Sequence, residues 1–139
     1  MIDKCNELTN NSEVVVRENK REFRIKNKSR KYNINKVKVD GCFIKDRRRC
    51  DYLFEILQGT KIEKVFYVEL KGKDLSHAIE QLEATIEYCR DIHCKYSKEA
   101  YIVTSKVPDG PESQNLKKKF KDRNGFLLKI KANSIEVDL

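Results

Sequence analysis

The 139-residue sequence predicts one α/β domain, residues 1–139, with a mixed central sheet that begins as an antiparallel meander and is flanked by helices. Three observations predict it. The first half carries short runs of alternating polar and apolar residues separated by turn residues, the pattern of half-exposed strands. From Leu75 to Cys89 the apolar residues recur at three and four, the period of a helix. A β-branched run at 100–104 follows, and a strand–helix–strand crossover makes it parallel to the strand before the helix.

The elements follow in order. Residues 1–12 are polar and Asn-rich and are expected to fray or to form a short helix. Glu13, Val14, Val15 and Val16 fit a strand or the end of a helix. Residues 22–26 alternate, 27–30 form a turn, and Tyr32, Ile34, Val37 and Val39 continue the β pattern until Asp40 and Gly41 break it. Cys42, Phe43 and Ile44 read as a short strand, and 45–49 as a basic hairpin tip. Residues 50–57 and 65–71 read as strands joined by a turn at 58–61, where Gly59 tolerates a positive φ. So short a connection makes them antiparallel neighbours. Asp74 is the expected N-cap of a helix of about five turns ending near His93. A second helix is expected over 112–123, with Leu116 and Phe120 inward and Asn124-Gly125 ending it. Residues 127–131 and 134–137 read as two short strands around an Ala132-Asn133 turn.

Chemistry concentrates where the two joined strands meet. Residues two apart on a strand share a face, so Glu69 and Lys71 point one way and Phe66, Val68 and Leu70 the other. Antiparallel pairing brings Asp51 near Glu69. Two carboxylates and an ammonium group form a hard-oxygen site suited to Mg²⁺ or Mn²⁺. The plainer reading is a surface salt bridge on a strand pair. Glu55 shares the Asp51 face; a paired or solvated role is expected for it ahead of that of an extra ligand.

Asp51, then Glu69-x-Lys71, then an amphipathic helix, resembles the PD-(D/E)xK nuclease superfamily, the restriction-endonuclease-like fold, over roughly residues 37–107. The resemblance implies that Asp51, Glu69 and the Leu70 carbonyl hold the metal and that Lys71 orients the attacking water. It also brings in Gln81, since related nucleases often aim a helical Gln into the site; a surface glutamine is the alternative. DNA is the implied substrate ahead of RNA. Cutting both strands would need two sites, hence a homodimer. Cys50 stands where the family has its name-giving proline. The Glu that the family often carries on its first helix has three candidates here, Glu7, Glu13 and Glu18.

Lys and Arg exceed Asp and Glu by eight, an excess that suits a polyanionic partner. Arg47, Arg48 and Arg49 lead into Asp51, and Lys73 follows the site, so these four are expected to meet nucleic-acid phosphates. Lys117, Lys118 and Lys119 form a second basic run that reads as a solvated helix face. No apolar run approaches the ~20 residues of a membrane span, and residues 1–5 lack the core of a signal peptide. A cytoplasmic protein without a membrane partner is expected. The five cysteines are odd in number and scattered, which argues against a disulfide framework. Cys42 and Cys50 are expected to face each other as thiols. His77 reads as partly exposed, and His93 as a residue favoured by the dipole at a helix C-terminus. The functional expectation is a metal-dependent nuclease. Its rivals are a non-catalytic nucleic-acid-binding or interaction module on the same fold, and a small basic subunit docking on a protein.

Overall fold

The computed structural model describes residues 1–72, 74–107 and 110–139, and at Lys71 and Gly72 the backbone alone. Strands β1 (Asn6–Thr9), β4 (Asn33–Lys38), β5 (Tyr52–Gln58), β6 (Lys61–Gly72), β7 (Ser97–Thr104) and β8 (Leu128–Ala132) form a six-stranded sheet in the order β1-β4-β5-β6-β7-β8. The pairings from β1 to β6 are antiparallel, and β6–β7 and β7–β8 are parallel. Strands β2 (Glu13–Glu18), β3 (Arg21–Lys26) and β9 (Ser134–Asp138) form a separate sheet in the order β2-β3-β9. The architecture is a mixed α/β fold with a mixed sheet and helices packed on it.

Strand alternation divides the apolar residues between two layers. Val65 and Tyr67 of β6 face helices α1 (Leu75–Tyr88) and α3 (Gly110–Asn124), where Leu75, Ala78, Ile79, Leu82 and Phe120 complete one core. Phe66, Val68 and Leu70 face the small sheet and pack with Val14, Val16, Phe23, Ile25 and Ile135. Phe23 anchors this second core with its ring centroid 5.0 Å from Tyr101 and 5.6 Å from Phe54, a spacing at which aromatic pairs attract beyond simple burial.

Local chemistry behaves as the sequence indicates at several points. Gly59 takes a φ of +62° in the β5–β6 turn, and Asp74 caps α1 by accepting the His77 N–H at 3.3 Å. Other expectations need correcting. Residues 6–9 form an edge strand, because β4 offers them a backbone partner. The first-half meander is interrupted, since the β2–β3 hairpin leaves it for the second sheet. Residues 42–44 are turn, with an isolated bridge between Asp40 and Ile44. The first helix stops at Tyr88, and a four-residue helix α2 (Arg90–His93) follows. Residues 128–132 and 134–138 do not pair as a hairpin: Asn133, at φ +67°, hands the chain from one sheet to the other.

The cysteine expectation also fails. Cys42 is joined by a disulfide to Cys5, not placed opposite Cys50, and Cys50 is a buried thiol. The cause is the β1–β4 pairing: the Cys5 carbonyl accepts the Lys38 N–H at 2.9 Å, which sets Cys5 beside the turn holding Cys42. The bridge closes a loop with a sequence separation of 37. Cys5→Ser is therefore expected to lower unfolding stability by about 2–4 kcal/mol. Comparing urea midpoints of oxidised wild type and variant checks this.

Candidate active site

Asp51 immediately precedes β5 and extends its ladder, its N–H donating to the Val68 carbonyl at 3.2 Å. Tyr52 pairs with Val68, so antiparallel register sets Asp51 across from Glu69. An Asp51 carboxylate oxygen then accepts the Leu70 N–H at 2.7 Å. The β6–β7 register is irregular between Glu69 and Gly72, at the point where the acidic pair sits. Such irregularities re-aim side chains and recur beside active sites.

Burial separates this pair from a surface salt bridge. Asp51 is 4% exposed and Glu69 0%. Both carboxylates bear on Cys50. Burial pushes its thiol above the ordinary range, the Thr85 hydroxyl opposes this, and Glu69 and Asp51 push it further up. Cys50 therefore stays protonated in the metal-free protein, and its soft sulfur does not suit a hard cation. The donors left are two carboxylates and the Leu70 carbonyl. That oxygen set fits Mg²⁺, which typically takes one or two carboxylates, several waters and substrate phosphates. Among the described residues, no group of three or more His, Cys, Asp or Glu side chains is arranged to hold a metal.

Helix α1 lies behind the pair. The Cys50 N–H donates to the Thr85 hydroxyl at 2.8 Å, and that hydroxyl donates to the Gln81 carbonyl at 3.2 Å. Gln81 is half-buried one turn before Thr85, so it sits on the helix flank nearest the Cys50-Asp51 segment. A proline at position 50 would forfeit the bond to Thr85, which accounts physically for the absence of proline there.

A cavity of about 190 Å³ opens beside Asp51, lined by Arg17, Glu18, Lys38, Asp40 and Tyr52. Burial raises the Tyr52 phenol pKa, with Asp51, Glu18 and Asp40 adding to it. Among the three candidate glutamates, Glu18 reaches this cavity, from a strand and not from a helix. Glu7 lies on the edge strand paired with Lys36 at 3.5 Å, and Glu13 pairs with Arg24 at 2.6 Å. Arg17, Lys38 and Asp40 escaped the sequence reading, because Arg17 nears Asp51 only through docking of the second sheet, and Lys38 and Asp40 through the β4–β5 pairing; Tyr52 is the chain neighbour of Asp51.

The basic loop is engaged with carboxylates. Arg47 pairs with Asp46 at 3.2 Å and lies 5.1 Å over the Tyr88 ring, Arg48 pairs with Glu80 of α1, and Arg49 pairs with Asp40 at 2.8 Å. Lys73 lies outside the described residues, as does the side chain of Lys71.

His93 corrects its expectation. It is fully buried, bonded through Nδ1 to the Tyr67 hydroxyl at 2.6 Å and through Nε2 to Glu55 at 2.7 Å. Glu55 also accepts from Asn35 and from the Ile2 N–H, so it is the paired residue expected. Glu55 is four residues along β5 from Asp51, about 13 Å in an extended strand. This network therefore belongs to the core and not to the carboxylate pair.

The chain matches no protein-family model, no curated protein and no solved structure. Among the described residues, no helix is long and apolar enough to cross a membrane.

Proposed function

We propose that this chain is a metal-dependent nuclease that hydrolyses phosphodiester bonds, DNA ahead of RNA, on a restriction-endonuclease-like core. The observation that carries the reading is the placement of Asp51 against Glu69. Two buried acidic residues stand on neighbouring strands at the end of an antiparallel pair, with Asp51 lining a cavity and a capped helix following directly. Buried acids are stabilised by pairing, and a cation held between these two would add to the partners they have.

Asp51, Glu69 and the Leu70 carbonyl would hold Mg²⁺ or Mn²⁺, which supplies a water of lowered pKa and charge neutralisation at the phosphoryl oxygens. The Leu70 N–H fixes the Asp51 carboxylate in place. Lys71 orients the attacking water, and Gln81 offers a neutral amide from the α1 flank. Arg47, Arg48, Arg49 and Lys73 meet the backbone of the substrate; Arg47 and Arg48 would exchange exposed carboxylate partners for phosphates, since exposed pairs are weak. Double-strand cleavage would call for a homodimer with two such sites.

A non-catalytic nucleic-acid-binding module on the same fold is the second reading. It is favoured by the excess of eight Lys and Arg over Asp and Glu, which suits a polyanion without calling for a metal. Incubating single- and double-stranded DNA and RNA with Mg²⁺ or Mn²⁺ separates the two. Cleavage by wild type and not by Glu69→Ala supports the nuclease and names its substrate. Tight salt-dependent binding without cleavage by either protein supports the module.

A further inference from the structure

The sequence draws attention to Arg47–Arg49, yet the fold sets that loop against an acidic helix. Residues 74–91 carry Asp74, Glu80, Glu83, Glu87 and Asp91 against Arg90. Arg48 and Arg47 already lie on Glu80 and Tyr88 of that helix. Those carboxylates compete with a polyanion for the loop's arginines and weaken its hold from this side.

The Asp51 cavity is lined differently. At the β2–β3 tip, residues 17–21 hold Arg17, Lys20 and Arg21 against Glu18. The hairpin tip overhangs the same end of the main sheet as Asp51. Arg17 and Glu18 line the Asp51 cavity, and the buried Arg21 guanidinium bonds to the Ser105 hydroxyl, one residue past β7. The tip is therefore anchored where the candidate chemistry lies.

Its backbone is unusual as well. Asn19 and Lys20 take φ values of +48° and +68°, the two left-handed positions of a type I′ turn. Glycine occupies such a position freely, whereas lysine does so at a cost. Strain of this kind at a loop tip points toward function. Lys20 is exposed and takes part in no ion pair among the described residues. Arg17 has a side chain 65% exposed and pairs with Glu22 at 2.7 Å, a contact that a phosphate can replace at little cost. Lys38 is exposed on the facing rim of the cavity.

We propose that the tip of the β2–β3 hairpin, through Arg17 and Lys20 with Lys38 across the cavity, grips the phosphate backbone of the nucleic acid presented to Asp51. This rests on reading Asp51 and Glu69 as a nucleic-acid-cleaving site. It assigns the main backbone contact to the hairpin in preference to the Arg47–Arg49 loop.

The test is binding of a fluorescent DNA duplex to the full chain in EDTA, which separates binding from turnover. Affinity is followed across a salt series for wild type, Arg17→Gln/Lys20→Gln, Lys20→Glu and Arg47→Gln/Arg48→Gln, with circular dichroism confirming each fold. Each lost phosphate contact lowers the slope of log affinity against log salt by about one. The hairpin double variant is expected to lose about two such steps, Lys20→Glu to bind more weakly at every salt concentration, and the loop double variant to lose less than half as much slope.

An unchanged slope and affinity in the hairpin variants overturns the proposal. So does an equal or larger loss in the loop variant. If wild type also cleaves with Mg²⁺ in that case, the nuclease reading survives alone. If the hairpin variants lose slope while wild type never cleaves, the hairpin stands as a binding surface and the nuclease reading falls. A wild-type protein that does not bind the duplex overturns the hairpin grip.

Discussion

Glu69→Gln and Asp51→Asn are each expected to lower metal-dependent cleavage by at least about 100-fold, because even removing a residue that merely supports a metal ligand typically costs 10–100-fold. Both substitutions keep the shape of the side chain and remove its charge. At position 51 the amide oxygen can still accept the Leu70 N–H, which the carboxylate takes at 2.7 Å. The strand end is thus expected to persist while affinity for the cation falls. Thermal unfolding gives a second readout. An ion present at ten times its dissociation constant stabilises the folded state by about 1.4 kcal/mol, a shift of a few degrees for a domain of this size. Wild type is expected to show that shift with Mg²⁺ or Mn²⁺, and both variants to lose it. Activity lost together with the native circular dichroism would instead make the pair structural.

The largest effect on stability is expected at His93. His93→Ala removes the partner of a carboxylate that is 1% exposed, and breaking a buried pair from one side typically costs about 3–5 kcal/mol. The Tyr67 hydroxyl loses its partner in the same step. Glu55→Gln is the control, since it retains an acceptor for the Asn35 and Ile2 donors and is expected to cost less. Acid should reproduce part of the effect. Burial raises the Glu55 pKa, but hydrogen bonds from His93, Asn35 and the Ile2 N–H outweigh it and hold the carboxyl below its ordinary value. A lowered folded-state pKa adds stability above the unfolded value, and that stability is lost as pH falls through the folded value. Urea midpoints measured downward from neutrality should therefore decline below about pH 4.5, with a smaller decline in Glu55→Gln. A His93→Ala variant as stable as wild type would show that the network contributes nothing.

What the sequence disclosed is what local chemistry governs. Period-two alternation located β3, β-branched and aromatic runs located β5 and β6, period-three-and-four spacing located α1, and Asp74 and Gly59 marked a cap and a turn that are both present. The crossover rule placed β7 parallel to β6. The Asp51–Glu69 approach was legible because a short hairpin fixes register. What stayed hidden depends on distant partners. The polar stretch Asn6–Thr9 becomes a strand because β4 lies beside it, and that pairing in turn selects Cys5 for Cys42. β9 joins β3 across more than a hundred residues. His93 reads as a helix-end residue until Tyr67 and Glu55 are seen to enclose it. Glu18 could not be chosen over Glu7 or Glu13 until the second sheet was docked.

The most direct test of the central claim is the initial rate of oligonucleotide cleavage as Mn²⁺ or Mg²⁺ is titrated into EDTA-treated protein, with wild type and Glu69→Gln side by side. The account predicts a saturable metal-dependent rate for wild type and a rate near background for Glu69→Gln at every metal concentration. Equal rates for the two folded proteins, or cleavage by wild type that persists in EDTA, would contradict it.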